Sequence, residues 1–573
     1  MYSSKENVSI LTSLLVAHGV THAVVCPGSR NAPIVHNLSE CPQIACHPVT
    51  DERSAAFYAL GMAQALAQPV VVCVTSGSAL LNVAPAVAEA YYQHLPLVVV
   101  SADRPQQWIG QLDGQTLPQP GALGCFVRRS VTLPEVLSPT ESLASYACSI
   151  AEQRWLCNRL VNEALLDATA DDPMPVHINV PISEPLFSFS MDSLPQERVI
   201  RRYRPLPDFS ALPRELVDGL AQARRPMVVF GQAAPGMFEG SGTEFLFSHV
   251  IVLHESLAPF PHVSHFDEVL FSGGIDTPDF IVYVGNTIVS KRLRQFLRSA
   301  TQAQAWRIGP SAEVEDTFMQ LRGIVVGDAD FILQSLSQRL SRCKSMAGMD
   351  YRRQWLHRLS LASRQAEAYQ PPFSQMAAVK TLEERLSQAG GDAKGGTVVH
   401  YANSTAIRLA NIYAAHHVWC NRGVNGIEGS LSTAAGFSVV SPGRVVCVVG
   451  DLSFFYDQNA LWNQNLRGNL RILLLNNGRG GIFNMLRGLE QSPVRDSYVA
   501  AAHQTTAEGI CQQNNVGYHR ATTMEQLHHG LDLLLGDDSS RPMLLEVTTD
   551  VAVDERVFKH YFLNQKQAWQ TNG

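Results

Sequence analysis

Short, continuously apolar runs alternate with helical patterns along the whole chain, and the runs fall into three groups. Helical stretches such as NVAPAVAEAYYQ and STAAGFSV lie between them. The strand candidates are THAVVCPG, QPVVVCVTSG, LPLVVVSADRP and MPVHINVP in the first group, RPMVVFGQA, HVIVLHES, DFIVYVGN and GIVVGD in the second, and GTVVHYANS, HHVWCNRG, RVVCVVGD, LRILLLNNG and PMLLEVTTD in the third. Strands that are apolar on both faces need helices on both sides. The pattern therefore predicts an α/β protein with three doubly wound parallel-sheet domains.

Two segments without strand periodicity divide the chain, which at 573 residues is too long for one hydrophobic core. Residues 193–210, SLPQERVIRRYRPLPDFS, are rich in proline and charge. A second segment has a polar helical pattern that is interrupted at Pro371 and Pro372. We therefore predict domains at 1–190, 200–340 and 370–573.

Composition and charge argue against several classes of function. The net charge of −7 is spread without a long single-sign block, which argues against nucleic-acid binding through a basic face. No stretch approaches the ~18 uninterrupted apolar residues of a membrane span, and the N-terminus lacks a signal-peptide pattern. The eleven cysteines include no C-x-x-C pair. We expect a cytoplasmic protein with reduced thiols and without a nucleic-acid or membrane partner.

Two polar dipeptides follow neighbouring apolar runs of the third group. Gly450-Asp451 ends RVVCVVGD, and Asn476-Asn477 ends LRILLLNNG. Ligands of doubly wound sheets bind at the carboxyl ends of the strands. Asp451 and Asn477 are short oxygen donors which, with a main-chain carbonyl and diphosphate oxygens, would suit Mg²⁺. Taken singly, each dipeptide is better explained as a turn, and only the pair at this separation indicates a metal site.

With 24 residues between them, these dipeptides resemble the metal–diphosphate motif of thiamine-diphosphate-dependent enzymes. VTDERSAAFYALGMAQA resembles the part of their pyrimidine-binding domain that carries an activating glutamate, here Glu52. The resemblance implies that the three predicted domains are, in order, pyrimidine-binding, central and diphosphate-binding.

Six further segments, spread over all three domains, resemble one family of these enzymes, the 2-succinyl-5-enolpyruvyl-6-hydroxy-3-cyclohexene-1-carboxylate synthases of menaquinone biosynthesis. The segments are CPGSRNAP, SADRP, SKRL, NSTAIR, NRGVNGIEGSLSTAAG and GDLSFFYD. The resemblance implies a transferase that uses thiamine diphosphate and Mg²⁺ (or Mn²⁺). Its two substrates would be 2-oxoglutarate, which it decarboxylates, and isochorismate, which accepts the succinyl unit by 1,4-addition.

Site roles follow from the same resemblance. The implied catalytic residues are Glu52, Gln115 and Arg30. The implied cofactor-binding residues are Glu52, Ile427, Ser453, Asp451, Asn477, Ile482 and Phe483, with the metal held by Asp451, Asn477 and the main-chain carbonyl of Arg479. The implied substrate residues are Ser29, Arg30, Arg104, Gln115, Lys291, Arg292, Ser404, Arg408, Arg422 and Leu486. Arginine suits two dicarboxylate substrates because its guanidinium binds carboxylates in a bidentate manner.

The chain departs from the expected pattern at a few positions. Leu452 stands where thiamine enzymes usually have the second glycine of GDG, a change that still fits this family. Gly114 stands where a hydrogen-bonding side chain is expected, which weakens the polar patch around Gln115. The resemblance also implies a homodimer or homotetramer in which Glu52 of one subunit meets Asp451 of another.

Two other interpretations remain open from the residues. A different thiamine-dependent carboligase or decarboxylase, such as an acetohydroxyacid synthase, would use small apolar 2-oxo acids and would not need five pocket arginines. A non-catalytic nucleotide-binding protein would bind phosphate at its strand ends, although the central domain has no GxGxxG fingerprint.

Overall fold

A computed structural model describes residues 1–136, 150–203, 212–236, 242–261, 263–343, 346–388, 396–481, 488–536 and 539–572. Within these ranges lie three sheets in which all strands are parallel, together with one small antiparallel pair. This architecture confirms the predicted fold class. Each large sheet falls inside one of the predicted domain ranges, and the boundaries themselves stay predictions. No helix in these ranges is both long and apolar enough to cross a membrane.

The N-terminal sheet has six strands in the order β3-β2-β4-β5-β7-β6, and β1 pairs with β8 antiparallel beside it. Its strands are β1 (Tyr2–Ser3), β2 (His22–Val25), β3 (Ala45–Pro48), β4 (Val70–Val74), β5 (Leu97–Asp103), β6 (Arg129–Thr132), β7 (Val176–Pro181) and β8 (Phe189–Met191). Its helices are α1 (Glu6–Ala17), α2 (Ala32–Glu40), α3 (Glu52–Leu66), α4 (Ser78–Asn82), α5 (Ala84–Gln93) and α6 (Ile150–Ala168).

The central sheet has five strands in the order β10-β9-β11-β12-β13. Its strands are β9 (Pro226–Phe230), β10 (Ile251–His254), β11 (Phe280–Val284), β12 (Gln304–Gly309) and β13 (Leu321–Val326). Its helices are α7 (Arg214–Gln222), α8 (Glu244–His249), α9 (Phe266–Ser272), α10 (Lys291–Arg298) and α11 (Ala329–Leu340). The long helix α12 (Met349–Ala368) leads to the third sheet, as its polar helical pattern predicts.

The C-terminal sheet has five strands in the order β14-β15-β16-β18-β17. Its strands are β14 (Thr397–Tyr401), β15 (Arg444–Gly450), β16 (Leu470–Asn476), β17 (Gly517–Ala521) and β18 (Met543–Thr548). Its helices are α13 (Gln375–Gln388), α14 (Thr405–Tyr413), α15 (Ser430–Val440), α16 (Asp451–Tyr456), α17 (Glu508–Gln513), α18 (Met524–Leu535) and α19 (Val551–Asn572).

One strand prediction is wrong. The segment HHVWCNRG is not a strand: it makes a single parallel bridge, between His400 and Trp419, at the edge of the sheet. Its other backbone groups pair elsewhere, since the Val418 N–H donates to the carbonyl of Ser256 in the central domain. Strands β3, β6 and β17 were not predicted because they are short, polar edge strands, and edge strands carry a weak hydrophobic signal. The interior strand β12 was missed as well.

Helices α3 and α15 pack between the N-terminal and C-terminal sheets, within one continuous apolar cluster that includes strands of both. Two glycines allow this close approach. A Cβ on Gly61 would lie 2.0 Å from the carbonyl oxygen of Thr433, and one on Gly436 would lie 2.2 Å from that of Tyr58. The helix pair therefore fixes how the strand ends of the first domain sit relative to those of the third.

Asp457, at the C-terminal end of α16, is a fully buried carboxyl that makes stability depend on pH. It accepts hydrogen bonds from the backbone N–H and the hydroxyl of Ser432, each at 2.7 Å. Burial raises its pKa from 3.8 to about 6. The folded protein therefore keeps this proton where the unfolded chain has released it. As a result, the contribution of Asp457 to the free energy of unfolding falls as pH rises from about 4 to about 6, and is constant above.

We expect Asp457→Asn to remove this dependence. Asparagine can accept from the Ser432 N–H and donate to the Ser432 hydroxyl, so both hydrogen bonds survive. At about pH 8 the variant should be more stable than the parent by up to about 3 kcal/mol, and near pH 4 the two should match. Denaturant unfolding of both proteins at the two pH values tests this. A difference that does not change with pH would contradict the assignment.

Candidate active site

The carboxyl ends of β15 and β16 bring the two polar dipeptides together. These strands are parallel neighbours, with Gly450 opposite Leu475, so the residues that follow them meet at one edge of the sheet. The Oδ2 atom of Asp451 accepts the backbone N–H groups of Asn477, at 3.1 Å, and Gly478, at 2.9 Å. Its Oδ1 atom accepts the N–H of Leu452 at 2.7 Å.

The electrostatics of Asp451 fit a bound cation. Its side chain is buried, and burial raises its pKa, while the surrounding backbone N–H groups and His503 lower it. The Nε2 atom of His503 lies 3.5 Å from its Oδ2. Among the described residues, no group of three or more His, Cys, Asp and Glu side chains could hold a metal. A cation here would be bound by one carboxylate, one amide oxygen, main-chain carbonyls and ligand oxygens, the hard donor set that Mg²⁺ prefers.

The loop after β16 is held in place around Asn477. The Nδ2 of Asn477 donates to Asp554 at 3.0 Å, while the Gly478 carbonyl accepts the His503 N–H at 2.8 Å. The side chain of Arg479 pairs with Asp496 at 2.9 Å. The predicted metal ligand at this position is the main-chain carbonyl, which this ion pair does not involve.

Two further predicted cofactor residues lie beside Asp451. The hydroxyl of Ser453 donates to the main-chain carbonyl of Ile427, so α16 and the GIEG segment are joined. Ile427 is 42% exposed, so its side chain is accessible to a ligand or a second subunit. Ile482, Phe483 and Leu486 lie outside the described residues.

Glu52 is the first residue of α3 but does not cap it. The cap is Asp51, whose Oδ1 accepts the N–H groups of Arg53, at 2.9 Å, and Ser54, at 3.2 Å. The Glu52 carboxylate has one long contact, from the Nδ2 of Asn82 at 3.4 Å. Because Asp51 already accepts the backbone N–H groups at the start of α3, the Glu52 carboxylate is not needed as a helix cap and is available to bind a ligand. Asn82 was not predicted, and nothing in the sequence singles it out.

Arg30 and Arg104 form one group of arginines in the N-terminal domain, in which Arg30 pairs with Glu184 at 3.1 Å. The Nη1 of Arg30 donates to the Ile182 carbonyl at 2.8 Å, and burial, followed by the charge of Arg104, lowers the pKa of Arg30. Arg104 pairs with Asp113 at 3.1 Å, and its Nε donates to the Gly114 carbonyl at 2.9 Å. Gly114 was expected to weaken the polar patch around Gln115, but its main-chain carbonyl accepts a hydrogen bond from Arg104.

The neutral residues predicted in this patch lie nearby in sequence and at the surface. Ser29 immediately precedes Arg30 and is exposed, as is Gln115. Gln115 has a positive φ of 55° and its backbone lies against Gly77, where a Cβ would come within 3.1 Å of the Gln115 carbonyl oxygen. The backbone at Gln115 is therefore packed against Gly77, while the Gln115 side chain is exposed.

A second cationic group surrounds a cavity of about 250 Å³ where the central and C-terminal domains meet. The cavity is lined by Lys291 and Arg292 at the start of α10 and by Arg408 on α14. The guanidinium of Arg292 lies 4.5 Å from the ring centre of Phe562 and pairs with Asp267 at 3.4 Å.

Arg408 and Arg422 are incompletely paired. The Nη1 of Arg408 is buried, and so is the Nε of Arg422; neither has a hydrogen-bond partner among the described residues. Arg422 donates from Nη1 to Asn403 at 2.9 Å, and burial, followed by the Arg422 charge, lowers the pKa of Arg408. Ser404, half-buried, precedes α14. Unpaired buried guanidinium groups are costly unless an anion completes them, so this group is suited to bind a carboxylate.

Comparison with known proteins defines the class. Residues 7–121 match the family model described as thiamine pyrophosphate enzyme, N-terminal TPP binding domain, and residues 401–547 match thiamine pyrophosphate enzyme, C-terminal TPP binding domain. The first range contains Glu52 and the second contains Asp451 and Asn477. The fold and both matched domains are therefore those of a thiamine-diphosphate-dependent enzyme.

Full-length relatives narrow the class further. Three of them carry the name 2-succinyl-5-enolpyruvyl-6-hydroxy-3-cyclohexene-1-carboxylate synthase. The protein of Bacteroides thetaiotaomicron is 42% identical over 99% of this chain and 100% of its own length, that of Bacteroides fragilis (strain YCH46) 41% over 98% and 99%, and that of Porphyromonas gingivalis 34% over 98% and 97%. The chain belongs to the family of 2-succinyl-5-enolpyruvyl-6-hydroxy-3-cyclohexene-1-carboxylate synthases.

Proposed function

We propose that this protein catalyses the thiamine-diphosphate- and Mg²⁺-dependent decarboxylation of 2-oxoglutarate and the 1,4-addition of the succinyl unit to isochorismate. The product would be 2-succinyl-5-enolpyruvyl-6-hydroxy-3-cyclohexene-1-carboxylate. The observation that carries this proposal is the meeting of the buried Asp451 carboxylate with Asn477 at the strand ends. Membership of the family and the two groups of cations support the choice of two dicarboxylate substrates.

The chain's own residues have distinct tasks in this proposal. Bound thiamine diphosphate supplies the electron sink for loss of CO₂. Asp451, Asn477 and the Arg479 carbonyl would hold the metal, and the Ser453 hydroxyl would donate to the diphosphate in place of the Ile427 carbonyl. The exposed Ile427 would contact the cofactor. Glu52 would bind the pyrimidine ring and favour the tautomer that takes up a proton.

Recognition of the substrates falls to the two cationic groups. Arg408, Arg292 and Lys291 line the cavity between the central and C-terminal domains. The charge of Arg422 acts on Arg408, and Ser404 immediately precedes α14, the helix that carries Arg408. Arg30 and Arg104, with Ser29 and Gln115, present a second set on the N-terminal domain. Two dicarboxylates held by separate sets would be oriented toward each other, which is the main contribution a protein makes to a carbon–carbon bond-forming step.

We further propose that the working enzyme is a homodimer or homotetramer in the cytoplasm, with Glu52 and Asp451 of different subunits sharing one cofactor. Large apolar side chains are exposed next to site residues on both domains. Leu81 precedes Asn82, Leu112 precedes Asp113, and Val424 and Ile427 lie on either side of Asn425 and Gly426. Exposed apolar residues near a site are suited to contact with a second copy.

The proposal is tested by incubating the protein with Mg²⁺, thiamine diphosphate, 2-oxoglutarate and isochorismate. We expect the absorbance of isochorismate to decline only when all four are present. Turnover of pyruvate with indifference to isochorismate would instead indicate an acetohydroxyacid-synthase-type enzyme. No turnover of either acid, alongside an active control enzyme, would contradict the proposal.

A further inference from the structure

Asp554, in the first turn of α19, ties three separate segments to one carboxylate. Its Oδ1 accepts the backbone N–H of Gln375 at 2.8 Å. Its Oδ2 accepts the hydroxyl of Thr549 at 2.7 Å and the Nδ2 of Asn477 at 3.0 Å. These partners come from the start of α13, the end of β18 and the loop after β16. Thr549 is five residues from Asp554, whereas Gln375 and Asn477 are distant from it in sequence, so no local pattern predicts these two contacts.

The contact with Asn477 determines which way that side chain faces. An asparagine amide has an acceptor oxygen on one side and a donor NH₂ on the other, whereas an ionised carboxylate only accepts. Asn477 must therefore turn its Nδ2 to Asp554, and its Oδ1 faces the other way. Within the described part of the chain, no donor is hydrogen-bonded to that Oδ1.

We propose that Asp554 is the positioning residue for the cation: it holds the Asn477 amide so that Oδ1, and not Nδ2, faces the Asp451 carboxylate and a bound divalent ion. The inference rests on the metal site of the proposed function. Asn477 is joined to Asp451 through its backbone N–H, which fixes the main chain but not the amide. The carboxylate of Asp554 supplies the constraint that the backbone lacks.

Asp554→Asn tests this because the isosteric change reverses the preference of the amide. The backbone N–H of Gln375 can only donate, so the oxygen of the new asparagine must keep this hydrogen bond. The NH₂ group of that asparagine then takes the position of Oδ2. The Thr549 hydroxyl can rotate to accept from it. Asn477 can restore its own hydrogen bond only by turning over, which points its NH₂ at the cation. We expect the affinity for Mn²⁺, with thiamine diphosphate present, to fall about 10- to 100-fold.

Thr549→Val is the matched control. It removes a hydrogen bond to the same Oδ2 atom, and so costs comparable stability, but leaves the Asn477 amide in place. We expect its Mn²⁺ affinity to equal that of the parent. The reciprocal variant Asn477→Asp with Asp554→Asn is the rescue: a carboxylate at 477 has oxygen on both sides, and asparagine at 554 can donate to it. We expect this double variant to recover the affinity that Asp554→Asn alone loses.

Free Mn²⁺ is measured by electron paramagnetic resonance during titration of each full-length protein in the presence of thiamine diphosphate, so the readout does not depend on turnover. Equal affinity in Asp554→Asn and the parent would overturn the inference. So would an equal loss in Thr549→Val, which would show that Asp554 acts only through the fold. Failure of the parent to bind Mn²⁺ would instead overturn the proposed metal site, and this inference with it.

Discussion

Glu52→Gln should lower turnover by about 10²- to 10⁴-fold while the protein still folds and binds thiamine diphosphate. Glutamine keeps the size of the side chain and a hydrogen-bonding oxygen but cannot be ionised, so it cannot shift the pyrimidine ring toward its reactive tautomer. Neither the helix end nor the core depends on this carboxylate, since Asp51 caps α3 and, within the part of the chain that the structure describes, Glu52 accepts a single hydrogen bond, from Asn82 at 3.4 Å. Steady-state kinetics and cofactor titration by circular dichroism measure the two quantities separately.

The adjacent residue provides the control for this variant. Asp51→Ala removes the cap of α3 and the hydrogen bond to Asn459, and should cost about 1 kcal/mol of stability. Glu52→Gln should leave stability unchanged. If Glu52→Gln turned over substrate at the parental rate, Glu52 would have only a structural role and a non-catalytic function would be favoured.

Arg408→Met should lower kcat/KM for at least one of the two dicarboxylates on the order of 100-fold, equivalent to about 3 kcal/mol of lost binding. The same change should not lower thermal stability. The reason is that the buried Nη1 of Arg408 has no partner in the described structure, and Arg422 and Arg292 add like charge nearby. Methionine matches the length of the aliphatic stem and removes a charge whose burial is unfavourable without an anion.

A well-paired arginine shows the opposite behaviour and serves as the comparison. Arg358 donates to the carbonyls of Gly273, at 2.6 Å, and Gly274, and stacks on Trp569 at 4.1 Å. Arg358→Met should therefore lower the melting temperature and leave both KM values unchanged. If Arg408→Met destabilised the protein as much as Arg358→Met and left the kinetics intact, Arg408 would be a structural residue.

Much of the candidate site could be predicted because its residues stand directly after apolar strands. The positions of Asp451 and Asn477 follow from the strand runs alone, since parallel neighbours end at one edge of a sheet. The separation of the arginines into two groups could not be predicted in the same way. Arg30 and Arg408 occur in similar strand-to-helix loops, and only the packing of the domains shows that they lie in different parts of the molecule.

Positioning residues were the part that sequence reasoning missed. Asp554 and His503 reach Asn477 and Asp451 from segments dozens of residues away, and neither belongs to a motif. The failed strand prediction at HHVWCNRG has the same origin, because its backbone pairs with Ser256 of another domain. A local sequence pattern cannot predict a hydrogen bond between two residues that only folding brings together.

By itself, the sequence determined the three parallel sheets and the class of enzyme, and it supplied the candidate residues for cofactor and substrates, because hydrophobic period and short motifs are local properties. Only the tertiary structure decided how those residues are oriented: that Asp51, not Glu52, caps its helix, that the Nη1 of Arg408 has no hydrogen-bond partner among the described residues, and that Asp554 turns the amide of Asn477. The physical reason is that each of these outcomes depends on which donors and acceptors compete at close range, and that competition is set by packing between distant segments.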